Sequence, residues 1–248
     1  MKVANPWRCF ISSVAGKYHL DQGNPNQDSA YCIQMPDYLV AVVCDGAGSA
    51  THSGIGASRV AEQTCRLISQ ALEQGPPSSM LWTNSLAQVR TDLDQFASAN
   101  RHQLKDYSCT VVGLCLWQDQ GWFFHIGDGF AIFQQNAELI IISQPENGEF
   151  SDETYFLTSP HWLEHCRITE LPTQSPGAVI GLMSDGPAPF VVNRSKTDFS
   201  PGFILPVVNY LKSVSVDMGN EALSSLLNDP KTLAITADDK TLFLALRS

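Results

Sequence analysis

At four places in this sequence, an aspartate or a pair of aspartates lies where an apolar stretch begins or ends. The places are Asp45-Gly46, Asp128-Gly129, Asp185-Gly186 and the pair Asp238-Asp239. A carboxylate at the end of a buried strand is held by rigid backbone, and a following glycine lets the chain turn sharply or approach a ligand. Because a single Asp-Gly pair is usually an ordinary turn, it is the repetition that predicts a site.

Carboxylates that converge on one place repel one another unless a cation lies between them. No cluster of His or Cys accompanies these aspartates, and oxygen donors of this kind favour Mg²⁺ or Mn²⁺ over zinc. Two such ions about 4 Å apart can hold a phosphate ester, activate water and stabilise the leaving oxygen. The residue types therefore predict a metal-dependent phosphatase.

The first half of the chain supplies elements that could position these carboxylates. The stretch SAYCIQMPDYLVAVVCD predicts two strands joined by a turn around Pro36. Apolar residues at helical spacing predict a helix that stops at Gly75 and a second helix over roughly 79–104. The apolar runs of 108–143 then predict a meander of strands.

The second half begins with a segment of different character. Residues 144–177 have several prolines, mixed charge and weak periodicity, which predicts an irregular, flap-like insertion. AVIGLMSD then predicts a strand that ends at Asp185, two helices follow, and TLFLALR predicts the last strand. Hairpins outnumber strand-helix-strand units, so we expect one α+β domain over 1–248, with largely antiparallel sheets and helices packed on them.

The composition limits the possible partners. The chain has 248 residues, 25 acidic against 15 basic residues and a net charge of -10, so its surface should repel nucleic acids and anionic membranes. Seven cysteines without a CxxC pair, and no apolar run long enough to span a membrane, predict a protein of the reducing cytoplasm. We expect it to be a monomer.

Six segments, in order along the chain, carry a resemblance to a known family. They are NQDSAY, VVCDGAGS, SCTVVGLCL, FHIGDGFAIF, IGLMSDGP and ADDKTLFLAL. This set resembles the metal-dependent protein phosphatases, the type 2C serine/threonine phosphatases of the PPM family, and most closely their short stand-alone bacterial branch. The resemblance implies two antiparallel sheets packed as a sandwich, flanked by helix pairs, with the metal ions in a cleft at one end.

The resemblance also implies roles for individual residues. Asp45 would bridge two Mn²⁺ or Mg²⁺ ions, and the backbone carbonyl of Gly46 would bind the second ion. Asp185 and Asp238 would complete the ligands of the first ion. Asp128 would help to hold a third, weaker ion.

The implied activity is hydrolysis of phosphoserine and phosphothreonine in proteins. The attacking group would be a hydroxide that bridges the two ions, so that no phosphoenzyme forms. Asp28 matches the acidic residue of the first motif and would support the site. The implied partner is a phosphoprotein, including a protein kinase that the phosphatase opposes.

Three positions depart from the family pattern. Gln27 stands where many members have a glutamate that holds metal-bound water. Gly23 stands where many have an arginine that clamps the substrate phosphate, and Ala47 where some have a histidine that protonates the leaving oxygen.

Other residues must then take over these functions. Lys17, His19 and Arg59 are the candidates for binding the phosphate, and His19 and His52 are the candidates for the general acid. A metal-bound water could instead donate the proton. Two further functions stay open: a catalytically weak pseudophosphatase that binds phosphoproteins as a regulator, and a phosphoesterase that acts on small molecules.

Overall fold

The computed structural model describes residues 5–146 and 154–248. Two five-stranded antiparallel sheets face each other, and helices pack on their outer faces. This confirms the predicted α+β architecture, a sandwich of two antiparallel sheets flanked by helices.

The strands divide equally between the two sheets. In chain order they are β1 (Trp7–Val14), β2 (Ser29–Met35), β3 (Tyr38–Cys44), β4 (Val111–Trp117), β5 (Gln120–Ile126), β6 (Phe130–Gln134), β7 (Ile140–Ser143), β8 (Arg167–Leu171), β9 (Val179–Met183) and β10 (Lys240–Arg247). The first sheet has the order β1-β10-β9-β6-β7 and the second the order β2-β3-β4-β5-β8.

The helices of the described residues differ widely in length. They are α1 (Lys17–Gln22), α2 (Ser53–Leu72), α3 (Leu81–Ala99), α4 (Ala188–Val191), α5 (Pro201–Ser213), α6 (Val216–Leu227) and α7 (Pro230–Ile235). The long helices α2 and α3 pack against each other, and α2 lies on β2 and β3, whereas α6 lies on β1. The predicted second helix ends earlier than expected, because Arg101 turns the chain with a φ of 62° and a separate 3₁₀ turn follows at Leu104–Tyr107.

Strand β3 explains why the sequence before Asp45 is continuously apolar. All of its residues are buried, because Val40, Val42 and Cys44 face the helical layer. The alternate residues of β3 face the space between the sheets, where they meet residues of β9 and β10. A strand covered on both faces has no polar side, so its C-terminal end is firmly held.

The prediction of a continuous meander over 108–143 is wrong at one point. Strands β4 and β5 belong to the second sheet, whereas β6 and β7 belong to the first. The chain crosses between the sheets at Gly127-Asp128-Gly129, where Gly127 has a φ of 108° that favours glycine. A β-carbon on Gly129 would lie 2.5 Å from the Met183 carbonyl oxygen, so the two strands approach too closely for a side chain.

The predicted insertion of 144–177 is only partly irregular. Arg167–Leu171 forms β8, which pairs with β5 as an edge strand of the second sheet. Leu157 is buried, and the Arg90 guanidinium donates hydrogen bonds to the carbonyls of Leu157 and Thr158. The stretch 147–153, at the centre of the expected flap, lies outside the described residues.

None of the helices in the described residues is both long enough and apolar enough to cross a bilayer.

Candidate active site

The predicted aspartates meet in a cleft at one end of the two sheets. Asp45 follows β3, Asp185 follows β9 by two residues, Asp128 lies in the crossing between β5 and β6, and Asp238 precedes β10. The cleft has a volume of about 430 Å³. We call it the acidic cleft, and its walls include Gln27, Asp45, Gly48, Asp128, Asp185 and Asp238.

The backbone around Asp45 is fixed from several sides. The Asp45 N–H donates to the Thr110 hydroxyl at 3.0 Å, and the Thr110 N–H donates to the Asp45 carbonyl at 2.9 Å. The next residue, Gly46, pairs with Cys109 in an isolated bridge. A β-carbon on Gly46 would lie 2.6 Å from the Gln27 carbonyl oxygen, which explains why glycine occupies this position.

Two carboxylate oxygens of the cleft are buried without a hydrogen-bond partner among the described residues. They are Oδ1 of Asp128 and Oδ1 of Asp185. The other oxygen of Asp128 accepts from the Thr154 hydroxyl at 2.7 Å, and Oδ1 of Asp238 accepts from the N–H of Asp239 at 2.9 Å. Buried acceptors left unpaired are costly unless a ligand satisfies them.

The electrostatics of the cleft disfavour the charged form of its aspartates. Burial raises the pKa of Asp45 well above its usual value, and the negative charges of the neighbouring aspartates raise it further. The pKa of Asp185 rises to about 6, chiefly through burial and then through Asp238 and Asp128, and burial also raises the pKa of Asp238. Among the described residues that line the cleft there is no Lys or Arg.

The donor chemistry of the cleft fits a hard divalent cation. Aspartate and carbonyl oxygens are the preferred ligands of Mg²⁺ and Mn²⁺, and the two unpartnered oxygens supply vacant acceptors. Within 5–146 and 154–248, however, no three His, Cys, Asp or Glu side chains form a ready metal site. The carboxylates that face the cleft would therefore have to approach one another to share an ion, which a positive charge between them favours.

Asp28 lies behind the cleft rather than on its wall. It is buried, and its Oδ2 accepts from the Ser184 hydroxyl at 2.6 Å. Burial raises the pKa of Asp28 to about 7, although the bonds from Ser184 and Thr241 oppose the rise. This position suits the supporting role expected from the sequence, because Asp28 holds Ser184, which directly precedes Asp185.

The structure separates the two candidate histidines. His19 lines the acidic cleft with 7% of its surface exposed, and its Nδ1 lies 2.8 Å from Oδ1 of Asp239. His52 does not line this cleft; its ring stacks on His102 with centroids 4.0 Å apart. Of the two candidate histidines, only His19 lines the acidic cleft.

The structure also separates the candidates for phosphate binding. Lys17 is exposed and pairs with Asp21 at 2.5 Å, outside the acidic cleft. Arg59 lines a neighbouring pocket at the start of α2. Of the three departures, Gln27 and Ala47 line the cleft, whereas Gly23 ends α1 at an exposed position with a φ of 69°.

Two residues next to the predicted ligands were not among the predicted site residues. Asp239 accepts hydrogen bonds at 2.6 Å from the N–H groups of both Gly16 and Gln27, and it also contacts His19. Lys240 is fully buried, and its Nζ donates to the Asp238 carbonyl at 3.3 Å. Burial lowers the pKa of Lys240, although nearby aspartates oppose this. The consecutive Asp-Asp-Lys before an apolar strand was the available signal.

An acidic cleft at the end of a double antiparallel sandwich, with helices outside, is the arrangement that the resemblance to the type 2C phosphatases predicts. The sequence model of the family described as protein phosphatase 2C matches residues 15–228. The chain therefore belongs to the protein phosphatase 2C family, whose members are metal-dependent hydrolases.

A curated relative agrees with this assignment. Serine/threonine-protein phosphatase 3 of Escherichia coli (strain K12) is 27% identical over 250 residues, which cover 97% of this chain and 98% of that protein.

Solved structures share the fold at lower identity. Serine/threonine phosphatase Stp1 from Staphylococcus aureus has a TM-score of 0.66 at 14% identity, over 100% of this chain and 98% of that one. PppA, described as a key regulatory component of T6SS in Pseudomonas aeruginosa, has a TM-score of 0.63 at 16% identity, over 99% of both chains. RsbX, solved in complex with magnesium, has a TM-score of 0.58 at 13% identity, over 98% of this chain and 96% of that one.

Proposed function

We propose that this phosphatase hydrolyses phosphoserine and phosphothreonine in proteins, with divalent cations bound in the acidic cleft. One observation carries the proposal. Four aspartates from four separate segments, with Asp239 beside them, face one cleft, and the described residues that line it include no Lys or Arg. Such an arrangement is unfavourable unless cations enter.

The proposed ligands are residues that the sequence motifs already indicated. Asp45, the carbonyl of Gly46, Asp185 and Asp238 would hold two ions, and Asp128 would help to hold a third. Bound Mn²⁺ or Mg²⁺ would supply positive charge to the phosphate oxygens and acidify water. The unpartnered Oδ1 atoms of Asp128 and Asp185 support this assignment, because an ion would satisfy both.

The cleft favours direct attack by water over a covalent phosphoenzyme. No Ser or Cys side chain is among the described residues that line it. The hydroxyl of Thr110 accepts from the Asp45 N–H, and the hydroxyl of Thr154 donates to Asp128, so both are already engaged in positioning. The role of the protein is then to orient the ester and to exclude competing nucleophiles.

We assign the proton for the leaving oxygen to His19. Its Nδ1 is paired with Asp239, which fixes the orientation of the ring, and the side chain lines the cleft. A carboxylate bonded to one ring nitrogen holds the imidazole in place and leaves the other nitrogen available for proton transfer. This arrangement would take over the function that Ala47 cannot perform.

The wider setting follows from the same proposal. The substrate would be a phosphoprotein, including a protein kinase that the enzyme opposes, and the enzyme would act as a cytoplasmic monomer. The part of the insertion around Thr154 and Phe156, which line the cleft, would form a flap. Deletion within this flap should change the selectivity among phosphopeptides but not the metal requirement.

Two alternatives have some support from the residues. A regulator that binds phosphoproteins without hydrolysis is suggested by Gln27 and Ala47, which line the cleft without an acid or a histidine. A phosphoesterase of small molecules would suit a cleft of about 430 Å³. Retention of all four aspartates favours the protein phosphatase over the regulator.

The deciding experiment is phosphate release from a phosphothreonine peptide by metal-stripped protein, with and without Mn²⁺. Asp45→Asn and Asp238→Asn should each abolish the metal-dependent release. Asp94→Asn, an exposed change on α3, is the matched control. Peptide binding without release would favour the regulator, and faster turnover of nucleotides or sugar phosphates would favour the small-molecule phosphoesterase.

A further inference from the structure

A second pocket adjoins the acidic cleft at the start of α2. It has a volume of about 640 Å³, and we call it the α2 pocket. The residues on its walls that matter here are Asn26, Gln27, Gly48, His52, Ser53 and Arg59. Gln27 and Gly48 line both spaces, so a bound chain could pass from one to the other.

The start of α2 leaves backbone donors free at this pocket. His52, at the N-cap position, makes no side-chain capping bond, and the first turn has no acidic residue. The N–H groups of Gly54 and Ile55 have no acceptor among the described residues. The first N–H groups of a long helix, together with its dipole, favour a negatively charged ligand.

Independent evidence for a ligand comes from buried side chains of the same pocket. Ser53 is 1% exposed, and its hydroxyl has no hydrogen-bond partner among the described residues. The Nε of Arg59 and the Oε1 of Gln27 are also buried and unpartnered. An amide can turn to present its NH₂ group instead of its oxygen, so all three side chains can donate to an anion.

Arg59 is held in place although it has no acidic partner. Its guanidinium carbon lies 3.8 Å from the centre of the Phe96 ring, and no ion pair to Arg59 occurs in the described part of the chain. Stacking on an aromatic ring orients the planar group while leaving its edge free to bind oxygen atoms. The described residues that line the pocket include no Asp or Glu, although the chain is strongly acidic.

We propose that the α2 pocket binds an anionic side chain of the substrate protein that lies close in sequence to the phosphorylated residue. The inference rests on the proposed function and specifies its substrate class: phosphoserine or phosphothreonine next to an acidic residue or a second phosphorylated residue. The phosphoryl group to be removed enters the acidic cleft, and the neighbouring anion meets Ser53, Arg59 and the first N–H groups of α2.

The test compares short phosphothreonine peptides that differ only in their flanking residues. One carries glutamates, one carries glutamines, and a third carries phosphoserine beside the phosphothreonine. We expect kcat/KM to be about tenfold higher for the glutamate peptide than for the glutamine peptide, since hydrogen bonds between charged groups are stronger than those between neutral ones. The phosphoserine peptide decides whether phosphate or carboxylate is the better ligand.

Arg59→Gln should bring the ratio between glutamate and glutamine peptides close to one. Arg66→Gln is the matched control, because Arg66 lies on the same helix, is exposed and pairs with Glu62. The proposal is overturned if the wild-type enzyme shows no preference. It is also overturned if Arg59→Gln lowers kcat/KM for both peptides by the same factor. Arg59 would then either bind the phosphothreonine itself or stabilise the fold.

Direct binding separates this proposal from the proposed function. The same fluorescently labelled peptides are titrated into the wild-type protein without metal, and their affinities are compared by anisotropy. Preferential binding of the acidic peptides that Arg59→Gln removes would support the α2 pocket even if no peptide were hydrolysed. Equal binding of acidic and neutral peptides would reject it, whatever the outcome of the turnover assay.

Discussion

The acidic cleft and the α2 pocket share two wall residues but have opposite electrostatic character. Five aspartates line the cleft, whereas the described residues of the α2 pocket offer Arg59, His52 and the free N–H groups of a helix. The difference follows from the elements that build each site. Strand ends place aspartate side chains in the cleft, and a helix start places backbone donors in the pocket.

Both sites contain buried polar atoms that have no hydrogen-bond partner in the described residues. These atoms are acceptors in the cleft, whereas the α2 pocket has a donor. The cleft has unpartnered acceptors on Asp128 and Asp185, and the α2 pocket has an unpartnered donor on Ser53. Unpartnered acceptors favour the binding of cations, and an unpartnered donor favours the binding of an anion. A phosphoprotein with an acidic neighbour would use both sites at once, because its target phosphate needs the cations and its neighbour needs the donors.

The largest effect is expected from neutralising the cleft. Asp185→Asn should lower kcat for a phosphopeptide by at least about 10³-fold, because metal-ion catalysis depends on the complete carboxylate set. Without metal the variant should melt at a higher temperature than the wild type, since burial and neighbouring charges raise the Asp185 pKa. The increase in Tm on adding Mn²⁺ should shrink.

Calorimetry and peptide turnover measure both effects, with Asp94→Asn as the control. A variant that keeps the full metal-induced increase in Tm would contradict the assignment of Asp185 as a ligand. If the same variant still binds acidic peptides as the wild type does, then Asp185 affects the cleft and not the α2 pocket.

The next effect concerns the proton donor at the edge of the cleft. His19→Gln should lower kcat about 100-fold for phosphothreonine peptides, whose alkoxide leaving group needs a proton. It should change kcat for p-nitrophenyl phosphate much less, because that leaving group is stable as an anion.

His161→Gln, an exposed histidine paired with Glu164, is the control for this comparison. If His19→Gln slows both substrates by the same factor, His19 positions the cleft through Asp239 and does not donate the proton.

A smaller effect is the pH dependence of metal-free stability. The folded-state pKa of Asp28 is raised to about 7 from an ordinary value of 3.8, mainly by burial. The folded protein therefore retains a proton that the unfolded chain loses, so this contribution to stability is complete below pH ~4 and is lost as the pH rises through ~7. Asp28→Asn should remove this part of the pH dependence and leave the part that the other cleft aspartates contribute.

The measurement is Tm in chelator for wild type and Asp28→Asn between about pH 5 and about pH 8. The two curves should diverge by roughly 5 °C across this range. Parallel curves would show that Asp28 keeps an ordinary pKa in the folded protein.

The smallest effect belongs to the α2 pocket. Ser53→Ala should raise the free energy of unfolding by about 1 kcal/mol, because it removes a buried hydroxyl without a partner. The same change should reduce the preference for acidic peptides. Denaturant unfolding and peptide kinetics test the two effects, and Ser98→Ala on the exposed surface of α3 is the control. Loss of stability would mean that the hydroxyl has a structural partner.

Some elements of the fold could be predicted because their signals are local. The hairpin of β2 and β3 was evident from two apolar runs around Pro36, and its strand ends at Asp45 as expected. Strand β8 was missed, because an edge strand such as Arg167–Leu171 has weak apolar alternation. The crossing at Asp128 was missed, because local alternation does not say to which sheet a strand belongs.

Some residues of the candidate site could likewise be predicted from the sequence, and others could not. Asp45, Asp128, Asp185 and Asp238 could be chosen from motifs, because each lies beside an apolar strand and most precede a glycine. His19 and His52 could not be ranked, since both are isolated histidines in sequence. Only the tertiary structure brings His19 within 2.8 Å of Asp239, a residue 220 positions away.

The sequence by itself determined three features: carboxylates at strand ends, the double antiparallel sandwich and the membership of a phosphatase family. Such information is local, because residue type, period and order along the chain express it. The tertiary structure decided which side chains share a space, including the contact between His19 and Asp239, the burial of Lys240 and the adjacency of the α2 pocket to the acidic cleft. Contacts between distant segments depend on how the sheets and helices pack, and no local pattern specifies that packing.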